Sequence, residues 1–271
     1  MGKNSETLVL SVDTATETRS VAVSRGSRLL ALEVGEGRNT HSANVLSEID
    51  AALRLAGVSL REIELYAVAA GPGSFTGLRA GLATLKAFAA TFERPVVGVQ
   101  TLHGVARAAG AYEKILAAIP AGRGEVFAQL LSVSKEGRVR ELDEAAHVSP
   151  ERLLERVAAE TGAGGVVWAG SGSLILAESI AERARLEGFD WKEDSEEPLG
   201  EESPEREARS APRSWRLART QKILAAHLSA LALDALGEGR ASNAQDLRAI
   251  YVRPSDVEIK EQCLAPSKQP S

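Results

Sequence analysis

A change of period near residue 42 constrains this chain more than any single motif. Before it lie three short apolar runs, "LVLSV" (8–12), "VAVS" (21–24) and "LLALEV" (29–34), separated by the turn "DTATETRS" and by Gly26. Such runs with turn residues between them read as a three-stranded meander. After it Val45, Ile49, Ala52, Leu53 and Ala56 recur at helical spacing and Gly57 supplies a stop, so 42–56 is expected to be a helix. "LYAVAAG" (65–71) then reads as a buried strand, "FTGLRAGLATLKAFAATF" (75–92) as a second helix ending near Pro95, and "VVGVQ" (96–100) as a fifth strand. Three strands, helix, strand, helix, strand is the pattern of an α/β layer.

A second unit starts near Leu102. "KILAAIPAG", "EVFAQLLSVS" and "RVRELD" are strand candidates, "SPERLLERVAAET" a capped helix, and "GGVVWAGSGSL" a strand entering a glycine turn. Residues 192–216 are polar, charged and proline-bearing without apolar period, and are expected to form an inserted loop. "TQKILAAHLSALALDALGEG" resumes as a helix and "LRAIYVRPSD" as an extended segment. A chain of 271 residues can bury one large core or two. The expected division is 1–106 and 107–271.

Charge and cysteine narrow the function. The net charge is −5 with both signs mixed along the chain, so no basic face announces a direct grip on RNA. One cysteine, Cys263, cannot form an internal disulfide, which fits a reducing cytoplasm. No apolar run reaches membrane-spanning length.

Two stretches carry candidate chemistry. Asp13 follows a buried strand and opens a Thr-rich turn; it can orient a metal-bound phosphate, or it can bond its own turn backbone, which is the commoner use. "AAGPGSFTGLRAG" (69–81) places four glycines around a helix start, where free amides can hold an anion. It lacks the Gly-Lys-Ser/Thr of a P-loop and the spacing of a dinucleotide fingerprint. Within the helix Gly77, Gly81 and Thr84 share a side, and Ala80, Ala83, Ala87 and Ala90 widen the small-residue surface. A helical glycine costs about 1 kcal/mol relative to alanine, so a close approach should offset it. His41, His103, His147 and His227 stand far apart, without HExxH, CxxC or a G-x-S-x-G elbow. Neither a zinc site nor nucleophilic hydrolysis has support in these motifs.

"LVLSVDTATETRSVAV", "THSANVLSEIDAAL", "LYAVAAGPGSFTGLRAGLATLKAFAA" and "PVVGVQTLHGVA" closely resemble the bacterial TsaB family, also called YeaZ. The likeness runs nearly continuously over 7–106, weakens to "GEVFAQLL" and "GSGSL", and returns in "LRAIYVRPSD". The resemblance implies an actin-like ATPase-domain (ASKHA) α/β fold with two ribonuclease-H-like subdomains. It implies a noncatalytic protein that pairs with the catalytic subunit TsaD, and with the ATPase TsaE, in making N6-threonylcarbamoyladenosine at position 37 of tRNAs reading ANN codons.

The same resemblance aligns the two metal-ligand positions of TsaD with Thr101 and Val105, with His103 between them and out of register. A hydroxyl and an aliphatic side chain do not hold a divalent metal. Where many relatives read D-A-R-R-x-E-V-Y, this chain has Pro120, Ala121, Gly122, Arg123, Gly124, Glu125, Val126 and Phe127. The partner surface, for TsaD or for a second copy, is expected at Leu46, Ile49, Leu53, Gly77, Leu78, Gly81, Leu82, Thr84 and Leu85, shared between core and interface. Asp13, Thr14, Gly170 and Gly172 are candidates for a vestigial nucleotide site. No cofactor is expected to be required by this chain itself; nucleotide binding, by the complex or by the isolated chain, is left open, and tRNA is expected to be reached through the complex, with direct contact left open as well. The competing enzyme reading is an ATP-dependent phosphotransferase using Asp13 and the "GSGS" turn, which needs a second acidic metal holder. A metallopeptidase reading fails on ligands.

Overall fold

A computed structural model of the chain describes residues 6–35, 45–161, 164–194, 213–218 and 223–252. The meander forms as its pattern predicts. Strands β1 (Leu8–Asp13), β2 (Ser20–Arg25) and β3 (Arg28–Val34) pair antiparallel. Helix α1 (Val45–Ala56) leads to β4 (Leu65–Gly71), parallel to β1; α2 (Phe75–Phe92) leads to β5 (Val96–Gln100), parallel to β4. The sheet order is β3-β2-β1-β4-β5. Residues 42–44 of the expected first helix lie outside the described residues.

The second sheet repeats this plan. After α3 (Thr101–Ala109), strands β6 (Ile115–Gly122), β7 (Glu125–Val133) and β8 (Val139–Glu141) form another antiparallel meander, with β9 (Ala146–Val148) against β7. Helix α4 (Pro150–Thr161) precedes β10 (Val166–Ala169), which lies parallel to β6 as β4 lies parallel to β1. Then come α5 (Ser171–Ile175), α6 (Ala177–Leu186), β11 (Asp190–Glu193) and β12 (Ser214–Leu217), giving the order β11-β12-β10-β6-β7-β8. A meander whose first strand is extended by parallel strands, made twice, is the duplicated ribonuclease-H-like architecture of the actin-like fold.

Two expectations change here. The polar stretch 192–216 is not loop at its ends: Lys192 and Glu193 belong to β11, and Ser214, Trp215 and Arg216 to β12. Trp215 is fully buried, its ring 5.2 Å from Trp168 and 5.1 Å from Phe189, and burial on that scale anchors the strand despite its charged neighbours. Residues 195–212 lie outside the described ones. The division at 106/107 also fails for the last helix, α7 (Ala225–Gly237), which returns to pack on β1, β2 and β4. Ser11 Oγ donates to Ala225 O at 2.7 Å, and Ser229 Oγ donates to Ser11 Oγ at 2.8 Å. Helices α3 and α7 join one core that spans both sheets, while Trp168, Trp215, Leu153 and Ile180 center a second core on the far face of the second sheet.

Candidate functional site

The ends of β1, β4 and β6 converge on a cleft of about 700 Å³. One wall is the β1–β2 turn with Thr14, Thr16, Glu17 and Arg19; another is the start of α2 with Gly73, Phe75, Thr76 and Ala80; the facing wall is Ile119, Pro120, Ala121, Gly122 and Phe127; Val45, Ser171 and Tyr251 complete it.

Asp13 is fully buried behind this cleft rather than facing it. Its Oδ1 accepts from the N–H of Ala15 at 2.8 Å and of Thr16 at 3.3 Å, and its Oδ2 from Thr16 Oγ1 at 2.6 Å. Burial raises its pKa to about 6, against the lowering effect of those three bonds. The carboxylate therefore ties down its own turn, the commoner of its two uses. The turn in turn seats α2: Ser74 N donates to Ala15 O at 2.8 Å, and Thr14 Oγ1 donates to Gly77 O at 2.7 Å.

The glycines of both turns answer to the chain's own backbone. A Cβ on Gly77 would fall 1.8 Å from Thr14 O, and one on Gly81 2.4 Å from Thr14 Oγ1 and 3.3 Å from Val68. A Cβ on Gly170, whose φ is +91°, would fall 2.3 Å from Ala118 O, and one on Gly172 2.9 Å from the Ala118 carbonyl carbon. Of the four nucleotide-site candidates, only Thr14 lines the cleft; Asp13 is spent on its turn, and Gly170 and Gly172 press against β6.

Burial divides the residues expected at the partner surface between the chain's own core and its exterior. Ile49, Leu53, Leu78, Leu82 and Leu85 are buried in the chain's own core, and Gly77 and Gly81 face β1 and β4. Thr84 is half-buried and donates to Ala80 O at 2.8 Å. Leu46 alone of that set stands out, 58% exposed. The outward side of α2 is instead Thr76, Arg79, Ala83, Ala87 and Ala90, all exposed. Phe75, Phe127 and Tyr251 are the cleft residues that motif reasoning missed as a group. Their signal was a bulky ring beside glycines, at a helix start and at the end of a returning segment.

Thr101 opens α3, Val105 lies one turn further along it, and both are buried; a Cβ on Gly170 would meet Val105 Cγ1 at 2.8 Å, so an isopropyl group fills that space. Neither residue fits a metal. His103 Nε2 sits 3.0 Å from Glu141 Oε1, and burial depresses its pKa although Glu141 opposes the shift. Among the described residues no three His, Cys, Asp or Glu side chains cluster as metal ligands, and no helix is long and apolar enough to cross a membrane.

Comparison with known proteins agrees with this architecture. The family profile for TsaD, tRNA N6-adenosine threonylcarbamoyltransferase, matches residues 36–170. The tRNA threonylcarbamoyladenosine biosynthesis protein TsaB of Escherichia coli is 34% identical over 55% of this chain and 65% of its own length. That of Haemophilus influenzae is 35% identical over 44% of this chain and 51% of its own length. The chain thus matches about half to just under two thirds of these curated relatives. In three dimensions it is similar to YeaZ from Pseudomonas aeruginosa, with a TM-score of 0.67 and 26% identity over 91% of this chain and all of that one. A second Pseudomonas aeruginosa structure, described as an uncharacterized protein with similarity to peptidase YeaZ, superposes with a TM-score of 0.70. Two duplicated sheets, a glycine turn seated on the β1 end and superposition over 91% of the chain make it similar to the TsaB/YeaZ proteins.

Proposed function

We propose that this chain serves the biosynthesis of N6-threonylcarbamoyladenosine in tRNAs reading ANN codons as a noncatalytic partner of TsaD. The observation that carries this reading is the pair of residues buried where the catalytic relative is expected to hold its metal with two imidazoles: Val105 has no ligand atom, and Thr101 offers one neutral hydroxyl in place of a histidine. The phosphotransferase alternative loses its key group, since Asp13 is sealed behind the turn it caps. Fold and family name support a role beside TsaD, and the outer face of α2 supplies a surface for it. Thr76, Ala83, Ala87 and Ala90 are small and exposed, so another helix can approach closely, with Leu46 on the neighbouring α1 adding apolar area. TsaE joins through TsaD, tRNA is reached through the complex, and in the absence of TsaD the same face pairs two copies of this chain.

The test is reconstitution. The chain is purified with the TsaD and TsaE of its organism, and modified tRNA is measured with and without it. The reading expects modification to depend on the chain; equal modification without it would overturn the assignment.

A further inference from the structure

The cleft's lining has a composition that the docking role does not use. Three rings face it from three different segments: Phe75 at the start of α2, Phe127 on β7, and Tyr251 just beyond the point where Ile250 N donates to Ala70 O at 2.7 Å. Phe75 and Tyr251 are 54% and 60% exposed, with ring centroids 6.4 Å apart and planes tilted by 39°. The Arg79 guanidinium lies 3.8 Å over the Phe75 ring and holds it in place. Val45, Ile119 and Pro120 extend the apolar wall.

The polar groups of the cleft are largely committed. Arg19, the cation among the described lining residues, is paired with Glu48 at 2.9 Å. Ser74 N donates to Ala15 O, Gly77 N to Ser74 Oγ, Thr14 Oγ1 to Gly77 O and Thr16 Oγ1 to Asp13. Glu17 adds negative charge to the same wall, and the facing strand contributes Pro120, Ala121 and Gly122, which carry no polar side-chain atom. With Arg19 paired to Glu48, the described lining residues offer a polyphosphate no uncommitted cation, whereas an uncharged ring gains stacking area and loses little hydration.

We propose that this cleft binds a neutral, planar aromatic molecule of about nucleoside size, held by Phe75 and Tyr251. Its volume of about 700 Å³ lies in the range of small-molecule sites. The inference is independent of TsaD docking, because it concerns the chain alone.

The probes are adenosine and ATP with magnesium, which share a ring and differ in charge, each titrated into the full chain by calorimetry. Adenosine is expected to bind, and to bind more tightly than ATP with magnesium. Phe75→Ala and Tyr251→Ala, both at exposed positions, should each weaken adenosine by about tenfold, the usual loss for one stacking ring, with an unchanged thermal midpoint. No adenosine binding, tighter binding of ATP, or adenosine affinity indifferent to both substitutions in folded protein overturns the proposal. Dependence of tRNA modification on the chain is measured separately, so failure here leaves that reading standing and the reverse also holds.

Discussion

The turns that leave β4 and β10 occupy corresponding places in the two sheets, each departing from the strand that lies parallel to the first strand of its meander. Both are glycine-rich, and in both a Cβ would strike a carbonyl of the neighbouring strand or its turn, Thr14 O at 1.8 Å from Gly77 and Ala118 O at 2.3 Å from Gly170. The helices beyond them differ. After β4 the helix runs 18 residues and presents alanines to solvent; after β10 it stops at 5 residues and turns into α6. The shared glycines belong to each half's own packing, and the first half is set apart by the outer face of its helix.

The largest effect expected from this comparison is on the first turn. Gly77→Ala should cost about 3 kcal/mol or more, because the obstacle is backbone and cannot rotate away. Urea unfolding measures it, and a neutral result would break the claim that the fold itself requires this glycine. Gly170→Ala should cost slightly less, about 2–3 kcal/mol, from the same kind of clash plus a φ of +91°. If only one of the two variants is destabilised, the halves are not built alike.

A smaller effect concerns acid. Burial raises Asp13 to about 6, so its protonation favours the folded state; that contribution is full below about 4 and is lost as pH rises through 6. His227 on α7 is pushed down to about 4, chiefly by burial and then by Arg107, so its contribution is full above about 6.5 and is lost as pH falls toward 4. The two slopes oppose each other between pH 4 and 6. Asp13→Asn removes one of them, and its unfolding free energy should fall more steeply on acidification than the parent's, by at most about 1.4 kcal/mol per pH unit. Parallel pH profiles would contradict the buried, turn-capping role of Asp13. Smallest of all, Ala87→Arg on the outer face should change stability by no more than about 0.5 kcal/mol.

Much of the first half was legible in its sequence because each element announces itself locally. The meander alternates with turn residues, and α1 repeats Val45, Ile49, Ala52 and Leu53 on one side. The second half hides two strands, since β11 reads Asp-Trp-Lys-Glu and β12 Ser-Trp-Arg-Leu; their pairing is parallel and long-range, and only the tryptophans hint at burial. Gly77 and Gly81 were legible as a close approach but not as to what approaches. Their helical positions fall on the side of Leu78, Leu82 and Leu85, away from Ala83, Ala87 and Ala90, and that side proves to face the sheet. The cleft was least legible, because Phe75, Phe127 and Tyr251 are scattered along the chain and meet only through the convergence of β1, β4 and β6.

The central claim is that α2 spends its inner face on the fold and its outer face on a partner. Calorimetric titration of TsaD into the parent chain and into an Ala83→Arg, Ala87→Arg double variant tests it most directly. Two guanidinium side chains on a surface meant for close helix approach should weaken binding by at least about a hundredfold while the thermal midpoint stays within a few degrees. Undiminished affinity in the folded double variant would contradict the account.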